Sequence, residues 1–171
     1  MKKYTKVVAI DPGNIQSAFV VWDGKAALAY GILSNEDMEG TLMRYKLADE
    51  SEDWFYVIEK VACYGMAVGE SVFDTVFATG RFSKCIEPYQ SYRIPRGAVK
   101  MHFCHSMRAK DGNIIQALKD RYEPDLMPRQ RPKGILKGLS KDCWQALALA
   151  VYCWDMLSSP QAEIWQGELK K

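Results

Sequence analysis

Three acidic residues stand at the edges of apolar runs. Asp11 closes Val7-Val8-Ala9-Ile10, Glu59 closes Phe55-Tyr56-Val57-Ile58, and Asp142 opens a run through Trp144, Ala146, Leu147 and Ala150. A carboxylate on the last residue of a buried strand is short of water. Ionised there, it needs a cation, a cluster of donors or a raised pKa. Three such groups gathered by folding would make a hard, oxygen-lined site for divalent cations, which is the chemistry of metal-assisted phosphodiester cleavage. Each acid also has a plainer reading. Asp11 before Pro12-Gly13 suits a turn, Glu59 suits a strand-end ion pair, and Asp142 after Ser140 suits a helix N-cap.

The elements that must position these acids follow from pattern and punctuation. Lys6–Ile10 reads as a buried strand, Ala18–Trp22 as a second and Ala27–Leu33 as a third, with Asp23-Gly24 as a hairpin signal between the last two. Ser34 or Asn35 caps a helix that runs to about Ala48. Phe55–Ile58 is a fourth strand, and the intervening helix favours parallel pairing with the first. A helix from Glu70, with Val72, Phe73, Val76 and Phe77 on one side, is expected to end near Gly80. A short strand is expected at Tyr92–Ile94, then a helix carrying Lys100, then a helix from Asp111, as its cap, to Tyr122. Pro124–Gly138 reads as a mobile basic loop. A well-buried helix from about Ser140 to Leu157 follows, and the tail at 158–171 is expected to be exposed. The whole of 1–171 is read as one domain.

The chain has 171 residues, nearly half of them hydrophobic, enough for a proper core. No apolar run approaches the ~18–20 residues that span a bilayer, and the stretch after the basic N-terminus is too short for a signal-peptide core. The expectation is a soluble cytoplasmic protein without a membrane partner. Five cysteines, an odd number spread singly, suit buried thiols better than disulfides or zinc. Net charge is only +2, but its distribution is uneven. Pro88–Lys110 holds Arg93, Arg96, Lys100, Arg108 and Lys110 with no acid. Leu126–Lys141 holds Arg129, Arg131, Lys133, Lys137 and Lys141, again with no acid. Either stretch alone could be a solvated face. Two of them around a candidate acid site point to a polyanion such as nucleic acid.

The order of elements, with acids at the ends of strands one and four and on the last long helix, is the layout of an α/β, ribonuclease H-like fold: a five-stranded mixed sheet flanked by helices. Val8-Ala9-Ile10-Asp11-Pro12-Gly13 and Val57-Ile58-Glu59-Lys60-Val61 resemble the corresponding segments of the RuvC Holliday junction resolvases. Asp142-Cys-Trp-Gln145-Ala-Leu-Ala-Leu-Ala150 is similar to that family's terminal D-x-x-D-A-L-A helix. Met66-Ala-Val-Gly-Glu-Ser-Val-Phe73, Gly80-Arg81-Phe82, Val99-Lys100-Met101-His102 and Arg108-Ala109-Lys110-Asp111 look like the phage-encoded branch.

The resemblance implies a homodimeric, divalent-metal-dependent endonuclease that resolves four-way junctions or other branched DNA. Asp11, Glu59 and Asp142 would hold two Mg2+ or Mn2+ ions, and Lys100 and Lys110 would face the scissile phosphate. Arg96, Lys100, Arg108, Lys110, Arg129, Arg131, Lys133, Lys137 and Lys141 are the expected DNA contacts. The helix around Val72–Phe77 is the expected dimer face. A phage-encoded enzyme would work in the host cytoplasm.

Two departures bear on this. The family's fourth acid falls on Gln145, whose amide offers a cation a carbonyl oxygen without charge. Asp155 lies thirteen residues beyond Asp142, about 20 Å further along a helix, and does not replace it. The family's aromatic wedge falls on Ala62, leaving Tyr64 or Met66 to open the junction or to pack in the core. These departures keep two alternatives open: a less selective nuclease acting on flaps or hybrids, and a junction-binding protein impaired in cleavage.

Overall fold

The computed structural model describes residues 4–51, 53–63, 65, 67–127 and 130–169. Its first strand, β1 (Lys6–Asp11), lies in mid-sheet. It pairs antiparallel with β2 (Gln16–Trp22) and parallel with β4 (Trp54–Lys60). Beyond β2 lies β3 (Ala27–Ser34), antiparallel, and beyond β4 lies β5 (Ser91–Pro95), parallel. The order is β3-β2-β1-β4-β5, the expected five-stranded mixed sheet. Val7–Ile10 and Phe55–Ile58 are apolar without a break because helices cover both faces of their strands.

Side-chain alternation sorts the core into two layers. Val7, Ala9, Phe55 and Val57 pack with α5 (Cys143–Leu157), α3 (Arg96–Cys104), α4 (Asp111–Tyr122) and α6 (Ala162–Leu169). Val8, Ile10, Tyr56 and Ile58 pack with α1 (Asn35–Ala48) and α2 (Glu70–Ile86). Continuing the alternation by one step turns Asp11 and Glu59 toward the α5 layer. The register Ile10↔Ile58 sets them side by side.

Local chemistry explains most boundaries. Ser34 caps α1, its hydroxyl accepting the Asp37 N–H at 3.1 Å. Asp23 turns the chain between β2 and β3, its Oδ1 accepting the N–H groups of Lys25 and Ala26 at 2.8 Å each.

Several expectations are corrected. Helix α2 does not stop near Gly80 but continues to Ile86. A helical glycine costs about 1 kcal/mol, and the complete burial of Phe82 and Ile86, about 1.5–3 kcal/mol each, outweighs it. Helix α5 begins at Cys143, not Ser140, because Lys141 has a left-handed backbone (φ 46°) that no α-helix accommodates.

The loop at 124–138 is not loose along its described length. The Glu123 carboxylate accepts the N–H groups of Lys133, Gly134 and Leu136 at 2.9–3.2 Å, and Leu136 is fully buried. The tail is not wholly exposed. Helix α6 buries Ala162 and Trp165, and the Trp165 indole stacks 5.8 Å from Phe55. The tryptophan supplies apolar area that a short polar tail otherwise lacks. All five cysteines are free, with Cys143 and Cys153 buried. Among the described residues, no helix is long and apolar enough to cross a membrane.

Candidate active site

The C-terminal ends of β1 and β4 open onto a cleft lined by Asp11, Pro12, Glu59, Ala62, Thr75 and Arg96, among others. The turn behind Asp11 is braced. The Gly13 N–H donates to Ser17 Oγ at 3.1 Å, Ser17 Oγ donates to Asn35 Oδ1 at 2.7 Å, and Asn35 Nδ2 donates to the Gly13 carbonyl at 3.0 Å. Gly13 is required there, because a Cβ would collide with the Gln16 carbonyl oxygen. The turn is thus more than punctuation: it fixes the direction in which Asp11 leaves the sheet.

Asp142 lies at the N-cap position of α5 and is exposed, and its side chain caps nothing. The plain N-cap reading therefore does not account for it. The left-handed Lys141 immediately before it costs on the order of 1 kcal/mol and bends the chain into α5 at this point. Gln145, one turn further in, is buried.

Electrostatics ties the three acids together. Burial, followed by the neighbouring charges of Glu59, Asp142 and Asp111, raises the Asp11 carboxyl to about 7, with Arg96 pulling the other way. Burial also raises Glu59, against the opposing pull of Arg96 and Lys100. The plain ion-pair reading of Glu59 is met in part. Arg96 Nη1 donates to both Glu59 oxygens at 3.2 and 3.0 Å, and Nη2 donates to Asp111 Oδ1 at 2.7 Å.

The tight three-carboxylate cluster expected from the sequence is accordingly corrected. Among the described residues, no three Asp, Glu, His or Cys side chains are grouped closely enough to hold one ion. The reason is physical: bare carboxylates repel, and a guanidinium stands beside Glu59 where a small cation would draw the acids in. The donor set still suits a hard divalent cation. It consists of carboxylate oxygens under a like-charge load that holds the Asp11 carboxyl up at about 7.

Asp111 was missed as a site residue. It reads as the cap of α4, but Lys110 holds the N-cap position, where its N–H donates to Asn113 Oδ1 at 2.9 Å. The Asp111 carboxylate faces Arg96 instead. The signal was in the sequence: Asn113, two residues on, can hydrogen-bond that turn from its own side chain.

Lys100 is half-buried on α3 and near enough to Glu59 to affect its ionisation. Lys110 and Arg108 are exposed on the α3–α4 connection, and Arg131, Lys133, Lys137 and Lys141 are exposed before α5. The Tyr30 hydroxyl donates to the Lys137 carbonyl at 3.1 Å, which anchors the second basic stretch at β3. The first begins at β5. The two stretches therefore flank opposite edges of the sheet, with the acids between them on β1 and β4. Arg129, Tyr64 and Met66 lie outside the described residues; Ala62 is exposed.

Asp155 serves elsewhere. His102 Nε2 lies 2.7 Å from its Oδ2, and Arg121 donates to both its oxygens at 2.6 and 2.7 Å. This ties α3, α4 and α5 together.

No protein-family model matches the chain, and no curated protein matches it in sequence. Solved structures do. The structure of Thermus thermophilus RuvC superposes with a TM-score of 0.62 at 14% identity, over 88% of this chain and 94% of that one. T. thermophilus RuvC in complex with Holliday junction substrate gives a TM-score of 0.58 at 14% identity, over 88% and 93%. The fold of this chain is therefore the RuvC-type, ribonuclease H-like fold.

Proposed function

We propose that the protein is a divalent-metal-dependent, structure-selective DNA endonuclease that resolves four-way junctions or branched phage DNA, of the phage-encoded RuvC-like type. The observation that supports this reading is a RuvC-type sheet that sets Asp11 and Glu59 side by side at one end, with Asp142 near enough to act on the Asp11 charge, between two acid-free basic stretches.

Asp11, Glu59 and Asp142, with the Gln145 carbonyl oxygen, would hold two Mg2+ or Mn2+ ions. When bound, such ions supply an activated water and Lewis-acid stabilisation of the leaving oxygen. The chain's own residues do the rest. The braced turn aims Asp11, and Asp11 must give up its proton, so the site fills better above neutral pH. Lys100 and Lys110 offset charge developing on the scissile phosphate. Arg96, Arg108, Arg131, Lys133, Lys137 and Lys141, with Arg129, bind flanking phosphates, so affinity falls steeply with salt. Tyr64 or Met66 would part the strands. A symmetric junction needs two cuts, and one chain has one site. Phe73, Val76 and Phe77, which are 65%, 52% and 68% exposed on α2, would form the dimer face.

The test is nicking of a synthetic four-way junction with Mg2+, Mn2+ or chelator, beside flap, duplex and hybrid controls. Cleavage should require the ion. Asp11→Asn and Glu59→Gln should lose about a hundred- to a thousandfold in rate, roughly one removed catalytic group of this kind, and still bind the junction. Wild-type rates in Asp11→Asn would overturn the assignment.

A second reading has specific support. Gln145 in place of an acid, and Arg96 lodged on Glu59, suit a junction-binding protein impaired in cleavage. It predicts ion-independent binding with no nicking at all.

A further inference from the structure

We propose that Arg96 is a tethered counter-cation, held on Glu59 in the ion-free protein and displaced into the neighbouring cleft beside Lys100 when a divalent ion binds. The inference rests on the nuclease reading above and deepens it. Arg96 is the first residue of α3, directly after β5, whose residues Ile94 and Pro95 pair with Glu59 and Lys60. The backbone therefore pins this guanidinium beside the acid pocket.

Its fork is shared between two acids from separate elements, Glu59 on β4 and Asp111 on α4. The Arg96 and Glu59 side chains are only 23% and 16% exposed. Arg96 Nη1 bridges the two Glu59 oxygens at 3.2 and 3.0 Å, so both are engaged at once. A divalent ion on Glu59 needs at least one of them, so guanidinium and ion compete for the same atoms. Arg96 also has somewhere to go. It borders the acid cleft on one side and, on the other, a second cleft formed with Gly97, Lys100 and Met107. Swung there, it would join Lys100 in a paired cationic surface suited to a phosphodiester.

The device has a direct benefit to the resting protein. Glu59 and Asp111 are both paired to Arg96, which offsets their mutual repulsion while no ion is present. It also sets a threshold, because the ion's affinity is reduced by the arginine it must displace.

The test is Mn2+ binding followed by electron paramagnetic resonance at pH 8, without DNA, on wild type, Arg96→Gln, Arg96→Lys and Asp11→Asn. Arg96→Gln is expected to bind Mn2+ about tenfold more tightly than wild type, one displaced charge pair's worth. Arg96→Lys, which keeps the charge but loses the fork, should fall between them. The wild-type protein gives a variant-free readout. Its Arg96 side-chain Nε–Hε resonance should shift or broaden on Mg2+ addition, while that of Arg121, locked on Asp155, stays put.

Equal or weaker Mn2+ binding by folded Arg96→Gln, or an Arg96 resonance unmoved by saturating Mg2+, overturns the proposal alone. Mn2+ binding that survives Asp11→Asn instead removes the metal site, and the proposal with it.

Discussion

Two aspartates on the same layer of the molecule are treated in opposite ways. Asp155 is met by the whole Arg121 fork and by His102. Burial alone would raise its carboxyl, but these donors hold it at about 2. Asp11 is also half-buried, yet it faces Glu59, Asp142 and Asp111 and rises to about 7. One carboxylate is compensated by the chain and welds three helices. The other is left short of positive charge. A fold that can neutralise an acid in one place and leaves another unneutralised in a cleft marks the second as the place for something not encoded in the chain.

The largest expected effect comes from removing the charge at Asp11. Asp11→Asn should stabilise the ion-free protein at pH 8 by on the order of 2 kcal/mol, read as a rise of several degrees in Tm. The sign follows from the raised pKa. Folded Asp11 keeps a proton that the unfolded chain has lost above about pH 4, so the wild type loses stability as pH climbs from there to about 7. The gain from Asp11→Asn should therefore shrink at pH 5 and vanish below pH 4. A uniform gain across pH would break the contrast.

Asp155→Asn should act with the opposite sign. It weakens two charge-assisted contacts and costs about 1–2 kcal/mol, a figure reduced for solvent screening at the half-exposed Arg121. Because the Asp155 carboxyl is depressed, its contribution is present above the ordinary carboxylate range and is lost only as pH falls toward about 2. Urea denaturation should show the full loss at pH 7, roughly half of it at pH 3 and little at pH 2. Arg121→Lys gives the smallest change, about 0.5 kcal/mol, since it keeps the charge and removes only the fork. A loss as large as that of Asp155→Asn would show that geometry, not charge, does the welding.

The parts legible in the sequence were those governed by alternation and punctuation. Unbroken apolar runs ending in Asp11 and Glu59 fixed two buried strands, and strand alternation then put both acids on one face. The α1 cap, to within one residue, and the pairing of the first strand with the second and fourth were readable for the same reason. What was hidden depended on contacts between distant segments. Gly80 looked like a stop until Phe82 and Ile86 were seen buried against the sheet. The sequence gives no hint that Lys141 is left-handed, since neither glycine nor asparagine stands there. Arg96 reads as one more base in a basic stretch, and Asp111 as a helix cap. Their pairing with Glu59 exists only once β5 lies alongside β4.

The last helix deserves a practical reading. Trp165 closes over Phe55 and also meets Tyr152 of α5, 5.9 Å between rings. Phe55 and Glu59 belong to the same strand, four residues apart. Shortening the chain before residue 162 would therefore uncover the floor under that strand. Shortened expression variants should be expected to lose function through a loosened β4, although no described residue of α6 lines the acid cleft.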